Sequence, residues 1–119
     1  MAKRDETVNS ESAIGQQMSK VQKPGGMFLV FRDKRIPVVG RISIGRGSGN
    51  MVELDDALVS RYHALVQKIK DEYFIEDLDS TNGTFVNGQR VPPRKYMRLK
   101  PGDFILIGRT QLTLHQLGL

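Results

Sequence analysis

Short apolar runs recur from Met27 to the end of the chain, separated by clusters of Gly, Pro, Asn, Asp or Ser. They read MFLVF (27–31), IPVV (36–39), ISIG (42–45), MVEL (51–54), HALVQKI (63–69), EYFIEDL (72–78), GTFV (83–86), YMRL (96–99), DFILIG (103–108) and TQLTLHQL (110–117). Alternation with period two is clear in the last of these, where Leu112, Leu114 and Gln116 share one face. It is visible again in HALVQKI, where Leu65, Gln67 and Ile69 oppose Ala64, Val66 and Lys68. No window carries a 3.6-residue apolar stripe of helical length. Many short strands at even spacing with turn signals between them predict an all-β sandwich or barrel.

Two Asn-Gly pairs, five residues apart in DSTNGTFVNG (79–88), need separate explanations. FVNGQRV reads as strand, turn, strand. Asn87-Gly88 is a strong hairpin signal, because both residues accept positive φ. Asn82-Gly83 follows DLDST and closes a loop leaving the EYFIED strand. Gly83 supplies the reversal there, and the Asn82 amide is expected to point outward beside the Ser80 and Thr81 hydroxyls.

The first 26 residues differ in character. They are polar, carry four Lys/Arg against three Asp/Glu, and end in the breaker cluster KPGG. The expected organisation is a disordered tail over 1–26 and one domain over 27–119. The 119-residue chain has 39% hydrophobic residues, enough for one core. It contains no Cys, which excludes thiolate metal sites, redox motifs, disulfides and a Cys nucleophile. The N-terminus has no apolar segment of the secretory kind and no run spans a membrane, so a cytoplasmic protein is expected. The net charge of +5 suits an anionic partner, and equally serves plain solubility.

Three segments hold candidate chemistry. SIGRGSGN (43–50) presents Arg46 among alternating glycines. It has neither the Gly-Lys-Ser/Thr of a phosphate-binding P-loop nor a dinucleotide fingerprint opening a helix. In SRYH (60–63), Ser60 and His63 lie close together. However, no G-x-S-x-G elbow surrounds the Ser, and no third group is placed to orient the imidazole. His63 is therefore expected to be structural, partly buried and bonded to its own loop. Two His without thiols do not make a metal site. The third segment is DSTNG (79–83). Together the three supply guanidinium groups, hydroxyls and an amide on turns of a β scaffold. That donor set suits a phosphate dianion better than acid–base chemistry.

In this order, GR (45–46), SRYH, LDSTNGTFVNG and PGDFILIG strongly resemble the forkhead-associated (FHA) domain, in particular the small bacterial type with an N-terminal tail. The resemblance covers Gly26 to the C-terminus. It implies a β-sandwich of about eleven strands with a phosphothreonine-peptide site on loops at one end. Carried over residue by residue, Arg46 grips the phosphate, Ser60 donates to it, and Arg61 contacts phosphate or peptide backbone. Thr81 lines the phosphothreonine pocket and Asn82 bonds the peptide main chain. Gly45, His63, Gly83, Asn87 and Gly88 shape these loops. Met51 departs from the Asp that many members carry there. Leu58 and Arg109 are candidates for reading residues after the phosphothreonine.

The resemblance further implies a non-enzymatic signalling module with no catalytic residue, cofactor or metal. Its partners would be phosphothreonine proteins that are substrates of a Ser/Thr kinase, or the kinase itself, with no role for nucleic acid or membrane. Some small bacterial members carry a kinase-target Thr in a tail that folds back into their own site. Thr7 is the candidate phosphoacceptor here, although the tail lacks their paired Thr. About 20 flexible residues span roughly 25 Å, enough for that contact. The alternative is a docking domain that ignores phosphorylation, which would keep its partner after phosphatase treatment.

Overall fold

The structure is a computed structural model and describes residues 26–117. The expected tail up to Gly25, including Thr7, lies outside the described residues, as do Gly118 and Leu119. Among the described residues there are eleven strands and no helix: β1 (Met27–Phe31), β2 (Lys34–Pro37), β3 (Arg41–Gly45), β4 (Val52–Glu53), β5 (Ala64–Ile69), β6 (Glu72–Asp77), β7 (Thr84–Val86), β8 (Gln89–Arg90), β9 (Tyr96–Leu99), β10 (Phe104–Ile107) and β11 (Thr110–Gln116). They form a five-stranded sheet in the order β9-β6-β5-β3-β4 and a six-stranded sheet in the order β2-β1-β11-β10-β7-β8. All pairings are antiparallel except β3 with β4.

Period-two alternation decides which side chains fill the space between the sheets. Leu112 and Leu114 are fully buried, as are Ala64, Val66 and Ile75, while Gln116 is exposed at the end of β11. In the register, Val66 stands opposite Ile75 and Leu114 opposite Leu29, so each ladder contributes matched apolar pairs to one core. The strand expected over 36–39 instead begins at Lys34 and stops at Pro37. Val38 turns into the core and Val39 is 86% exposed. Proline has no N–H for a ladder bond, and edge strands end where it occurs.

The sheets leave three connections converging at one end: residues 46–51 between β3 and β4, 54–63 between β4 and β5, and 78–83 between β6 and β7. Strand β3 is bonded to both β4 and β5, and β5 to β6, so these connections emerge side by side. No helix among the described residues is long and apolar enough to cross a membrane.

Candidate functional site

The polar floor under these loops is built on Asp77 and His63, both fully buried. Asp77 closes β6. Its carboxylate accepts from the Ser80 N–H at 3.0 Å, the Ser80 hydroxyl at 2.6 Å and the Thr84 hydroxyl at 2.7 Å. Ser80 Oγ in turn accepts from the Gly83 N–H at 2.9 Å. Burial pushes the Asp77 carboxyl up. The hydrogen bonds from Ser80 and Thr84 outweigh it and hold the group below the usual carboxylate range. The Thr81–Asn82 turn is thus fixed from beneath by one aspartate.

His63 links two of the loops. Its Nδ1 accepts from the Ser60 N–H at 3.0 Å, so Nε2 carries the proton and donates to Gly83 O at 2.9 Å. The expectation of a histidine bonded within its own loop holds for the Ser60 contact, and the expectation of partial burial is corrected. The imidazole is sealed, and its second bond crosses to the 78–83 loop. With both ring nitrogens committed to backbone groups, it is not poised as a base for the Ser60 hydroxyl.

Arg46 follows the end of β3. Its N–H donates to Ser60 O at 2.9 Å, and its side-chain Nε donates to Val59 O at 3.0 Å. The guanidinium is exposed and oriented, and its terminal nitrogens remain for a ligand. The next residue, Gly47, donates its N–H to Arg61 O at 3.0 Å. The Asn50 amide adds bonds to Gly47 O at 2.7 Å and Arg61 O at 2.8 Å. A Cβ at Gly45 would run into Arg61 O, so glycine is required there by close backbone approach. Met51 turns its side chain out, 64% exposed, while its N–H closes the loop onto the Ser43 hydroxyl at 3.0 Å.

Ser60 Oγ accepts from the Thr81 N–H at 3.0 Å and still has its own proton to donate. The Asn82 side chain is exposed, as the sequence suggests. One N–H of its amide donates to Leu58 O at 2.9 Å, and the second N–H and the oxygen are left over. Asp56 ties in the last neighbour by accepting from the Leu58 N–H at 2.9 Å and the Arg109 N–H at 2.7 Å. Those two amides, Arg109 before Leu58, draw its carboxyl below the usual range. Leu58 and Arg109, far apart in sequence, thus flank one carboxylate.

The structure therefore brings Arg46, Ser60, Arg61, Thr81 and Asn82 into one continuous hydrogen-bonded rim, with Gly45, His63 and Gly83 directly beneath it. Asn87 and Gly88 stand apart, in the β7–β8 turn. Both have positive φ (51° and 82°), and the Asn87 side chain bonds Asp103 and the Phe104 N–H. Asp77, Asn50, Asp56 and Arg90 belong to the neighbourhood without having been singled out in the sequence. Arg90 packs its guanidinium against Gly83: a Cβ there would lie 3.0 Å from Arg90 Nε. The hairpin reading of FVNGQRV, which sets Arg90 opposite Phe85, was the signal that could have found it. Among the described residues no cluster of His, Cys, Asp or Glu could hold a metal ion.

Kanadaptin from Homo sapiens is 39% identical over 75 residues, which cover 54% of this chain and 10% of that protein. The other leading curated relatives are also matched over less than half of their length. A solved structure described for phosphothreonine-dependent FHA domain interactions superposes with a TM-score of 0.70 at 30% identity, covering 79% of this chain and 99% of that one. Mycobacterium tuberculosis EmbR, solved in complex with a low-affinity phosphopeptide, gives a TM-score of 0.72 at 31% identity over 80% of this chain and 26% of that one. The family model of the FHA domain matches residues 42–108, more than half of the chain and all three converging loops, and the chain belongs to the FHA domain family.

Proposed function

We propose that residues 27–119 form a phosphothreonine-peptide binding module of Ser/Thr kinase signalling. Arg46, Ser60 and Arg61 hold the phosphate, Thr81 lines the pocket and Asn82 bonds the peptide backbone. The observation that carries this reading is the joining of three sequence-distant loops. Their internal bonds use Arg46 Nε, one lone pair of Ser60 Oγ and one N–H of Asn82, leaving the outward donors free. The two solved FHA structures described for phosphothreonine dependence and a phosphopeptide complex support it.

A phosphothreonine carries about −1.5 to −2 charges and three acceptor oxygens at neutral pH. Charge-assisted hydrogen bonds contribute roughly 1.5–3 kcal/mol each. Three or four of them, less the cost of ordering a peptide, correspond to micromolar binding, about −8 kcal/mol. Burial of the threonine methyl adds roughly 0.8 kcal/mol over phosphoserine. The partners are phosphothreonine proteins of the kinase pathway. Phosphorylated Thr7 is a further ligand that the chain itself would supply.

Calorimetric titration of the full chain with a phosphothreonine peptide library, with unphosphorylated peptides as controls, tests the proposal. Arg46→Ala lowers affinity by roughly 2–4 kcal/mol with the fold intact. Equal binding by the variant removes Arg46 from the site. Binding that survives phosphatase treatment points to docking that ignores phosphorylation.

A further inference from the structure

Arg90 presents a cation beside the rim that the proposed phosphate site does not use. It lies on β8, fixed opposite Phe85 by the Asn87–Gly88 turn. A Cβ added to Gly83 would meet its Nε at 3.0 Å, Cζ at 3.2 Å and one terminal nitrogen at 3.4 Å, so the guanidinium lies broadside against the Gly83 turn. Its neighbours are differently occupied: Arg46 Nε is bonded to Val59 O, and Arg94 Nε lies 3.6 Å from Asp79. The exposed Arg90 side chain has no acid or hydrogen-bond acceptor among the described residues. A planar fork held on a strand and left without an anion fits a carboxylate in bidentate geometry. Its position also gives it a direction. Asn82 bonds Leu58 O on one side, and Gly83 with Arg90 stacked on it follows on the other. A peptide bonded at Asn82 that runs past the Gly83 turn would meet Arg90 on the flank away from Leu58.

We propose that Arg90 forms a second anion subsite beside the phosphate site and reads an Asp or Glu side chain of the partner next to its phosphothreonine. The inference rests on the phosphothreonine reading above. The probe is a synthetic phosphothreonine peptide with alanine at the flanking positions, together with variants carrying one Glu at each position in turn. In titrations against the full chain, Glu at one or two positions raises affinity about three- to fivefold, as expected for an exposed charge pair. Arg90→Ala abolishes that gain and leaves the all-alanine phosphopeptide within about twofold, whereas Arg109→Ala keeps the gain. Arg90→Glu shifts the preference to Lys at the same position. Three results overturn the proposal: no Glu position raises affinity, the gain survives Arg90→Ala, or Arg90→Ala weakens every peptide equally. The last would make Arg90 a prop for the Gly83 turn. Failure of the wild-type chain to bind any phosphopeptide overturns the phosphothreonine reading itself, and is distinguishable because it precedes every comparison between variants.

Discussion

The same dipeptide, Asn-Gly, closes two turns five residues apart, and the surroundings give them opposite uses. At Asn87–Gly88 both residues take positive φ, the asparagine amide faces inward to Asp103 and Phe104, and a Cβ on Gly88 would meet nothing. At Asn82–Gly83 only the glycine has positive φ, its Cβ position is filled by Arg90, and the asparagine reaches across to Leu58 O. One turn commits its polar atoms to its own hairpin and the neighbouring strand. The other uses a few to lock its loop onto the 54–63 loop and keeps the rest for solvent. A local sequence signal thus specifies a reversal, and tertiary partners decide whether that reversal is structural or is available to a ligand.

Each turn rests on an aspartate, and removing these anchors gives the largest expected effects. Asp77→Ala strands the Ser80 and Thr84 donors in a fully buried site and costs about 3 kcal/mol in urea denaturation. Asp103→Ala frees the Asn87 amide and the Lys100 N–H nearer the surface and costs about 1–2 kcal/mol. The first substitution should also loosen the Thr81–Asn82 rim and weaken phosphopeptide binding; the second should leave binding unchanged. Equal effects on binding would erase the distinction between the turns.

The acid limb of stability sharpens the same contrast. The folded Asp77 carboxyl lies below its ordinary value of 3.8 because hydrogen bonds to the charged form outweigh burial. Its contribution is therefore present above about pH 4 and is lost as pH falls through the lowered folded value. Asp56, also lowered, contributes in the same direction. Denaturation curves between neutral pH and about pH 3 should show a shallower acid loss for Asp77→Ala, with a part of the remaining slope contributed by Asp56. An unchanged slope would show that Asp77 is not held as a carboxylate by its partners.

The two glycines come next. Gly83→Ala combines a left-handed backbone at φ 88° with displacement of Arg90, while Gly88→Ala meets only the left-handed backbone at φ 82° in open space. The expected costs are about 2 and about 1 kcal/mol. Since the contact at Gly83 is with the end of a flexible side chain, Gly83→Ala combined with Arg90→Ala should recover the difference. Thermal unfolding of the two single variants and the double variant measures this.

The ladder of strands was legible because the runs are apolar and bounded by turn residues. Where they alternate, as in MFLVF and EYFIED, local preference and tertiary burial agree; in ALVQKI the buried Gln67 breaks the alternation. The motif order GR, SRYH, DSTNG likewise located the rim. What escaped sequence reading lies in long-range polar bonds. The Asp56 carboxylate meets the Arg109 N–H 53 residues away, and His63 Nε2 meets Gly83 O 20 residues away. Neither carries periodicity or spacing that a single chain displays. Arg90 looked like an ordinary exposed strand residue, and only the closeness of Gly83 distinguishes it. Pro37 shows the reverse case, a local rule that overrode an apolar pattern and ended β2 before Val38.

The smallest effect on stability belongs to the asparagines and separates the turns most finely. Asn87→Ala removes a partly buried amide with partners on Asp103 and Phe104, and costs about 1 kcal/mol. Asn82→Ala removes one exposed bond to Leu58 O, and costs about 0.5 kcal/mol or less. In peptide binding the ranking inverts: Asn82→Ala lowers affinity by about 1–2 kcal/mol, because a peptide backbone group then loses its partner, and Asn87→Ala changes nothing measurable. The inversion follows from where each amide makes its hydrogen bonds. A variant pair in which stability and affinity fell together would mean that Asn82 acts by holding the loop, and that the peptide backbone is bonded elsewhere on the rim.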